Sequence, residues 1–255
     1  METKKIEVII KDLTQVFFDA GNLSIELRNK GLTKNIKKDN TPVTNGDIEV
    51  NNIILNNLKK ISPSIPIVSE ETSENKNLDL NTFWLVDPID GTYDYINNRD
   101  EFTLNAGLII NKVAVAGIIY APAKKRMFYS YGNNISYELK DNNEKVLNNK
   151  NIDMNNIKAV SYSDNLKTEI IEIHKKLRVK EYIKMKSSLK FCVIATGEFH
   201  VYAAEPRASE WDIAAGHAIL KNSGGTITDF DGNEILYGKI GFKNPSIILK
   251  STADL

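Results

Sequence analysis

Apolar side chains recur at three- and four-residue spacing from Ile6 through Ile9, Ile10, Leu13, Val16 and Phe17 to Ala20. That spacing puts them on one stripe and predicts a long amphipathic helix ending near Gly31. The polar residues from Lys34 to Gly46, broken by Pro42 and Gly46, read as an exposed loop. A second helix is expected to open near Asp47, with Ile48, Ile53, Ile54 and Leu58 on its apolar face, and to stop at Pro63 and Pro66. From Ile67 the period falls to two. Ile67-Val68 predicts a short strand, and the unbroken run Phe83-Trp84-Leu85-Val86 predicts a buried one that delivers the chain to Asp87. Strands at 102–110, 113–120 and 126–131 follow with short polar turns between them, which favours antiparallel pairing.

The stretch 133–156 is rich in Asn, Asp and Lys and reads as the boundary between two halves. One is an N-terminal α+β half over 1–133, with two helices and an antiparallel sheet; the other is a C-terminal α/β half over 134–255. Beyond the boundary, strand and helix alternate: a strand at 159–161, a helix over 167–177, a strand at 181–185, a helix from Ser188 and a strand at 199–203. A last helix starts near Asp212 and ends at Gly224-Gly225. A hairpin-like segment over 226–235 follows, with Asp231-Gly232 at its turn.

Charge and composition narrow the function classes. Lys plus Arg and Asp plus Glu each number 33 in 255 residues, so the formal net charge is zero. That balance gives no support to nucleic-acid binding or to a membrane-surface protein. Cys192 is the single cysteine, which excludes an intramolecular disulfide and makes a cysteine metal cluster an unpromising reading. The first residues lack the apolar core of a signal peptide, and no apolar stretch approaches the ~20 residues that span a bilayer. A cytoplasmic protein without membrane insertion is expected, as a monomer or a homodimer.

Three groups of carboxylates stand out. Glu70 and Glu71 follow a strand, Asp87 and Asp90 flank Pro88-Ile89 at the end of the most apolar strand, and Asp212 sits beside Trp211 at the start of an apolar helix. Read alone, Asp87 and Asp90 serve equally well as turn and N-cap residues, Glu70-Glu71 as a solvated loop and Asp212 as an N-cap. Read together, they are carboxylates at the exits of buried elements, which repel one another unless a cation gathers them. Hard oxygen donors without neighbouring His or Cys select Mg²⁺ or Mn²⁺ over zinc. Pro88 restricts the backbone and Gly91 permits close approach, so a sharp turn can present both aspartates and the Ile89 carbonyl to one side. A helix starting at Gly91-Thr92 would aim its N–H groups at the same spot.

These residues also carry a resemblance. Ser69-Glu70-Glu71, then Trp84 through Thr92, then Trp211-Asp212-Ile213-Ala214-Ala215-Gly216 resemble the three signature motifs of the inositol monophosphatase superfamily, in order and spacing over nearly the whole chain. Asn98 through Asn105, Tyr120-Ala121-Pro122 and Ser187-Ser188-Leu189-Lys190-Phe191-Cys192 look like the CysQ-type 3'(2'),5'-bisphosphate nucleotidases within it. The resemblance implies a layered αβαβα sandwich of mixed α+β class. It also implies a phosphomonoesterase acting on the 3'-phosphate of adenosine 3',5'-bisphosphate, a by-product of sulfate activation. Inositol monophosphatase or broad sugar-phosphate phosphatase activity is the alternative; a non-catalytic binding protein is a third reading, which the full set of presumed ligands opposes. Carried over by residue, it implies that Glu70, Asp87, the Ile89 carbonyl, Asp90 and Asp212 hold two or three Mg²⁺ ions, with Li⁺ inhibiting. Asp47 and Thr92 would activate the attacking water, with Glu71 assisting. Gly91 and Thr92 would hold the scissile phosphate beside Asp212, and Lys190, Ser187 and Ser188 would meet the substrate's second phosphate.

The sequence departs from that pattern in places. Lys186 stands where such enzymes usually have Gly, Tyr93 where Lys is common, and Ala203-Ala204 where Pro-Arg is usual. Arg207, three residues on, reads more readily as a surface charge than as a replacement for that arginine. His174 is expected on an exposed face, His200 and His217 as packing or surface residues, and Cys192 as a small core residue. The run 34–38 reads as a solvated loop, with steering of an anionic substrate as the alternative, and 39–44 matches a loop that covers the active site in relatives.

Overall fold

The computed structural model describes residues 1–37, 40–72, 79–148 and 152–255. Helix α1 (Thr3–Lys30) buries the expected stripe and ends at Gly31, whose φ of 100° suits only a residue without a side chain. The polar stretch after it is partly a hairpin, since β1 (Lys34–Ile36) pairs antiparallel with β2 (Pro42–Thr44). Every residue of β1 is exposed, so no alternation marked it as a strand. Lys38 and Asp39 lie outside the described residues. Thr44 then caps α2 (Asn45–Ile61) through the amides of Gly46 and Asp47, and Asp47 accepts back from the Thr44 amide. This reciprocal pairing satisfies the helix start and immobilises the Asp47 carboxylate.

The larger sheet grows from β3 (Ile67–Ser69) and β4 (Thr82–Asp90), which run parallel. After the short α3 (Thr92–Ile96), the chain adds β5 (Thr103–Ile110), β6 (Val113–Ala121), β7 (Arg126–Ser130), β8 (Ser136–Lys140) and β9 (Asn143–Leu147). Among the described residues this is a seven-stranded sheet in sequence order, antiparallel from β4 onward. The division read at 133/134 separates β7 from β8, yet β8 and β9 extend the same sheet as far as Leu147. Only Leu147 of β9 is buried, which explains why its composition looked like a linker.

The second half supplies β10 (Lys158–Ser161), α4 (Thr168–Lys176), β11 (Glu181–Lys184), α5 (Leu189–Ala195), β12 (Val201–Ala204), α6 (Glu210–Asn222), β13 (Thr226–Thr228) and β14 (Ile247–Lys250). Among the described residues these strands form a sheet in the order β11-β10-β12-β14-β13, with β10 parallel to both its neighbours. Thr228 does bridge to Glu234 across the turn, but the strand partner of β13 is β14.

Two cores set the layers. On one face of the large sheet, α1 and α2 bury Trp84, Val86 and Ile89 of β4. On the other face, Phe83 and Leu85 join α5, α6 and the smaller sheet. A strand covered on both faces needs apolar residues at successive positions, which is why 83–86 reads as an unbroken run. A small third cluster places Leu177 and Val179 near Ala159 and Val201, with α4 against the outer face of the smaller sheet. The order helix, sheet, helix, sheet, helix is the expected αβαβα sandwich. His174 is a correction: it is 7% exposed, sharing the inward face of α4 with Ile170 and packing on Tyr182 at 5.7 Å. Among the described residues, no helix is long and apolar enough to cross a membrane.

The seat of α6 is the feature that matters most for the site. Gly107 on β5 and Gly117 on β6 face each other in register. A Cβ on Gly107 would lie 2.7 Å from Ala214 Cβ and from the Ala215 nitrogen, and one on Gly117 would lie 2.7 Å from Ala215 Cα. The helix therefore rests directly on sheet backbone, and its N-terminal turn reaches the end of β4.

Candidate active site

Asp87 and Asp90 belong to β4 itself rather than to a turn beyond it. Asp87 pairs with Asn105 and Asp90 with Thr103, so Pro88 and Ile89 form an irregularity against the partner strand. Such a bulge re-aims side chains at a strand end. Gly91 follows at φ 94°, and a Cβ there would meet the Glu101 carbonyl oxygen at 2.9 Å. No other residue allows both that backbone and that approach. Helix α3 then begins at Thr92.

Asp47 is 1% exposed and reaches the same place from α2. Its Oδ2 accepts from the Thr44 amide at 2.7 Å and the Thr44 hydroxyl at 2.6 Å. The Thr92 hydroxyl lies 3.1 Å from Asp47 Oδ1 and 3.2 Å from the Ile89 carbonyl oxygen. From the end of β3, Glu70 and Glu71 share Lys37, whose ammonium donates to Glu70 at 2.9 Å and Glu71 at 2.6 Å. Burial, ahead of the neighbouring charges, pushes the Glu71 carboxyl up to about 7.

Asp212 enters from α6, where its carboxylate accepts from the Ser209 amide at 2.8 Å in a capping pair. It is thus a capping-box residue and a neighbour of the β4 carboxylates at once. Burial and the charges of Asp90 and Glu70 push it up to about 8. Asp87 is raised well above the usual carboxylate range by burial, then by Glu70, Asp90, Asp212 and Asp47. Asp90 is raised by burial, with Lys190 and the Ser188 hydroxyl opposing. The acidic groups expected from the three segments therefore act on one another across the fold.

Ser188 ties two of these elements together. Its hydroxyl oxygen lies 2.6 Å from Asp90 Oδ2 and 2.6 Å from the Asp212 carbonyl oxygen, and Asn105 Nδ2 donates to it at 3.1 Å. That hydroxyl is committed to holding Asp90 against α6. Ser187 precedes it in the left-handed region at φ 54°. The Lys190 ammonium donates to the Ser187 carbonyl oxygen and lies 5.4 Å from the centre of the Tyr202 ring; burial lowers it to about 8, while the charge of Asp90 opposes that shift.

A divalent cation suits this donor set. Asp87 Oδ1 is buried without a hydrogen-bond partner among the described residues, and a buried carboxylate oxygen left unpaired is costly. Among the described residues, no trio of His, Cys, Asp or Glu side chains is already closed around one point. The fit rests instead on the unpaired oxygen, on the mutual repulsion of the carboxylates and on their all-oxygen chemistry, which matches hard cations.

A cleft of ≈ 300 Å³ opens over Asp90, Gly91 and Asp212 and is walled by Tyr93, Lys186, Ser187, Lys190 and Arg207. The sequence model of the inositol monophosphatase family matches residues 5–253. The chain belongs to the inositol monophosphatase family. Within that family it is 35% identical to the 3'(2'),5'-bisphosphate nucleotidase CysQ of Buchnera aphidicola, over 90% of this chain and 87% of that protein. It is 34% identical to the CysQ of Salmonella typhimurium, over 82% of this chain and 85% of that protein. The crystal structure of CysQ from Bacteroides thetaiotaomicron superposes with a TM-score of 0.76 at 28% identity, covering 92% of this chain and 94% of that one.

Set beside the family motifs, the structure brings Asp47, Glu70, Glu71, Asp87, Ile89, Asp90, Thr92 and Asp212 to one region, with Gly91, Ser187 and Lys190 at the cleft. Ser188 sits below it as a clamp. Arg207, read as a surface charge, is exposed but lines the cleft, because the segment after β12 folds toward α6. Sequence reasoning gave no role to Lys37, Asn105 or Tyr162. Lys37 looked like a solvated loop charge, and nothing in the local pattern marks Tyr162.

Proposed function

We propose that the protein is a Mg²⁺-dependent 3'(2'),5'-bisphosphate nucleotidase that hydrolyses the 3'-phosphate of adenosine 3',5'-bisphosphate in the cytoplasm. The observation that carries this reading is the cleft, where Asp90 and Asp212 share one opening with Lys186, Lys190 and Arg207. A site for a single phosphate on a neutral ring has no use for so many cations, whereas a doubly phosphorylated substrate does. The names of the relatives at 35% and 34% identity support the same reading.

Glu70, Asp87, the Ile89 carbonyl, Asp90 and Asp212 would hold two or three Mg²⁺ ions. Bound Mg²⁺ supplies positive charge for the phosphoryl oxygens and the leaving alkoxide, and makes water more acidic. The rest falls to the protein. With its proton directed to Asp47, the Thr92 hydroxyl offers lone pairs that accept a hydrogen bond from the attacking water and orient it. Asp47 is held rigid by Thr44, so the pair is positioned before substrate arrives. Glu71 assists from beside Glu70. The backbone at Gly91 and Thr92 holds the scissile phosphate, and Ser188 keeps Asp90 and Asp212 at fixed separation. Lys190 with Ser187 faces the second phosphate.

Phosphate release by purified protein with Mg²⁺ tests the reading on adenosine 3',5'-bisphosphate and inositol 1-phosphate in parallel, with Mn²⁺ and Li⁺ as further arms. Preferred turnover of the nucleotide, lost on adding Li⁺, is expected. Turnover of inositol 1-phosphate at equal or higher kcat/KM would overturn the substrate assignment.

A further inference from the structure

Three loops converge where the parallel strands of the smaller sheet end. Tyr162 directly follows β10, Lys186 lies just past β11, and Arg207 lies just past β12. The carboxyl ends of parallel strands are where open sheets of this kind place ligands. All three side chains line the cleft that also holds Asp90 and Asp212. The Arg207 guanidinium carbon lies 3.8 Å from the centre of the Tyr162 ring. The ring itself is held: the Tyr162 hydroxyl lies 2.7 Å from each carboxylate oxygen of Glu205, and Lys167 pairs with Glu205 at 3.0 Å.

This is a mounting for an arginine on an exposed segment. Stacking uses the face of the guanidinium, while its N–H donors radiate in the guanidinium's own plane and suit a phosphate approached edge-on. The platform also reduces the side-chain freedom that a bare surface arginine would lose on binding. Arg207, Lys186 and Lys190 line the same cleft, so the three cations share one field. Like charges gathered in one cleft repel, and a bound dianion relieves that repulsion.

We propose that Arg207, mounted on the Tyr162 ring, is a specificity-determining residue that takes the phosphate the reaction leaves intact. The proposal rests on the nucleotidase reading above and assigns the part of the cleft that discriminates a bisphosphate from a monophosphate.

The test is steady-state hydrolysis of adenosine 3',5'-bisphosphate and adenosine 3'-phosphate by the wild-type enzyme and by Arg207→Gln, with Mg²⁺. Losing a charge-assisted phosphate contact should raise KM for the bisphosphate by about ten- to a hundredfold more than for the monophosphate, with kcat for the bisphosphate little changed. An equal change on both substrates, or no change on either, would overturn the assignment. If the wild-type enzyme leaves the bisphosphate intact, the proposed function falls, and calorimetric binding of adenosine 5'-phosphate decides Arg207 separately. Weaker binding by Arg207→Gln then supports the phosphate role, and equal binding removes it.

Discussion

Substituting Gly107 by alanine tests whether the seat of α6 controls the chemistry. The added Cβ would stand 2.7 Å from Ala214 Cβ, 2.7 Å from the Ala215 nitrogen and 2.8 Å from the Ala214 carbonyl carbon. Carbon atoms prefer about 3.5–4.0 Å, so the helix must retreat by roughly 1 Å. Two of the three obstacles are backbone, so no rotamer change relieves them. Overpacking of this kind costs about 1–3 kcal/mol. Removing glycine also restricts the unfolded chain, which returns about 0.4–1 kcal/mol. The net loss is therefore centred on about 1–2 kcal/mol, a fall in Tm of roughly 2–8 °C for a chain of this size. The larger effect falls on turnover. Asp212 lies in the first turn of α6 and offers its carbonyl oxygen to the Ser188 clamp, and a displacement of about 1 Å at a catalytic centre can cost about a hundredfold in rate. Thermal unfolding followed by circular dichroism, alongside kcat, measures both. A Gly107→Ala protein with wild-type Tm and wild-type kcat would refute the claim that close helix–sheet contact sets the position of Asp212.

Other expectations follow from the same geometry. Asp90→Asn should abolish turnover yet leave the metal-free Tm at or above the wild-type value, because it removes a charge that its carboxylate neighbours oppose; substantial residual turnover would count against its place in the metal set. Ser188→Ala leaves Asn105 and Asp90 without their shared partner and should cost about 1–3 kcal/mol in urea unfolding, with a loss of kcat beyond what that instability explains. His217 is buried against Tyr237 at 2.9 Å, and burial depresses its folded-state pKa to about 3. Between about 6.5, its unfolded value, and that depressed value the unfolded chain binds the extra proton, so stability falls as pH drops through this window. The full span corresponds to at most roughly 5 kcal/mol, and the pH slope of unfolding free energy should flatten in His217→Asn; an unchanged slope would contradict the burial argument.

Much of the fold was legible because it is written in short-range pattern. The α1 stripe and the run at 83–86 announce how many faces each element buries, and both appear in the structure where periodicity put them. Elements with few buried apolar residues were not legible: β1 and β9 are almost wholly exposed and β8 is only half-buried, so all three carry little apolar alternation, and only pairing with a neighbour makes them strands. His174 was misread for the related reason that the inward face of α4 buries only Ile170 and His174, one turn apart, too short a stripe on a Lys-rich helix to set the histidine's side.

At the site, residue types and their order pointed to carboxylate chemistry around Asp87 through Thr92, since hard donors near a glycine turn are a local signature. What those residues touch was decided by the tertiary structure. The Thr92–Asp47 contact joins positions 45 apart in the chain, and the Ser188–Asp90 contact joins positions 98 apart. Arg207 gained its place on Tyr162 only because β10 and β12 lie side by side and end at the same edge. Local sequence sets which groups can coordinate, cap or donate; which of them meet depends on strand order and on how closely α6 settles on Gly107 and Gly117, and those are properties of the packed chain.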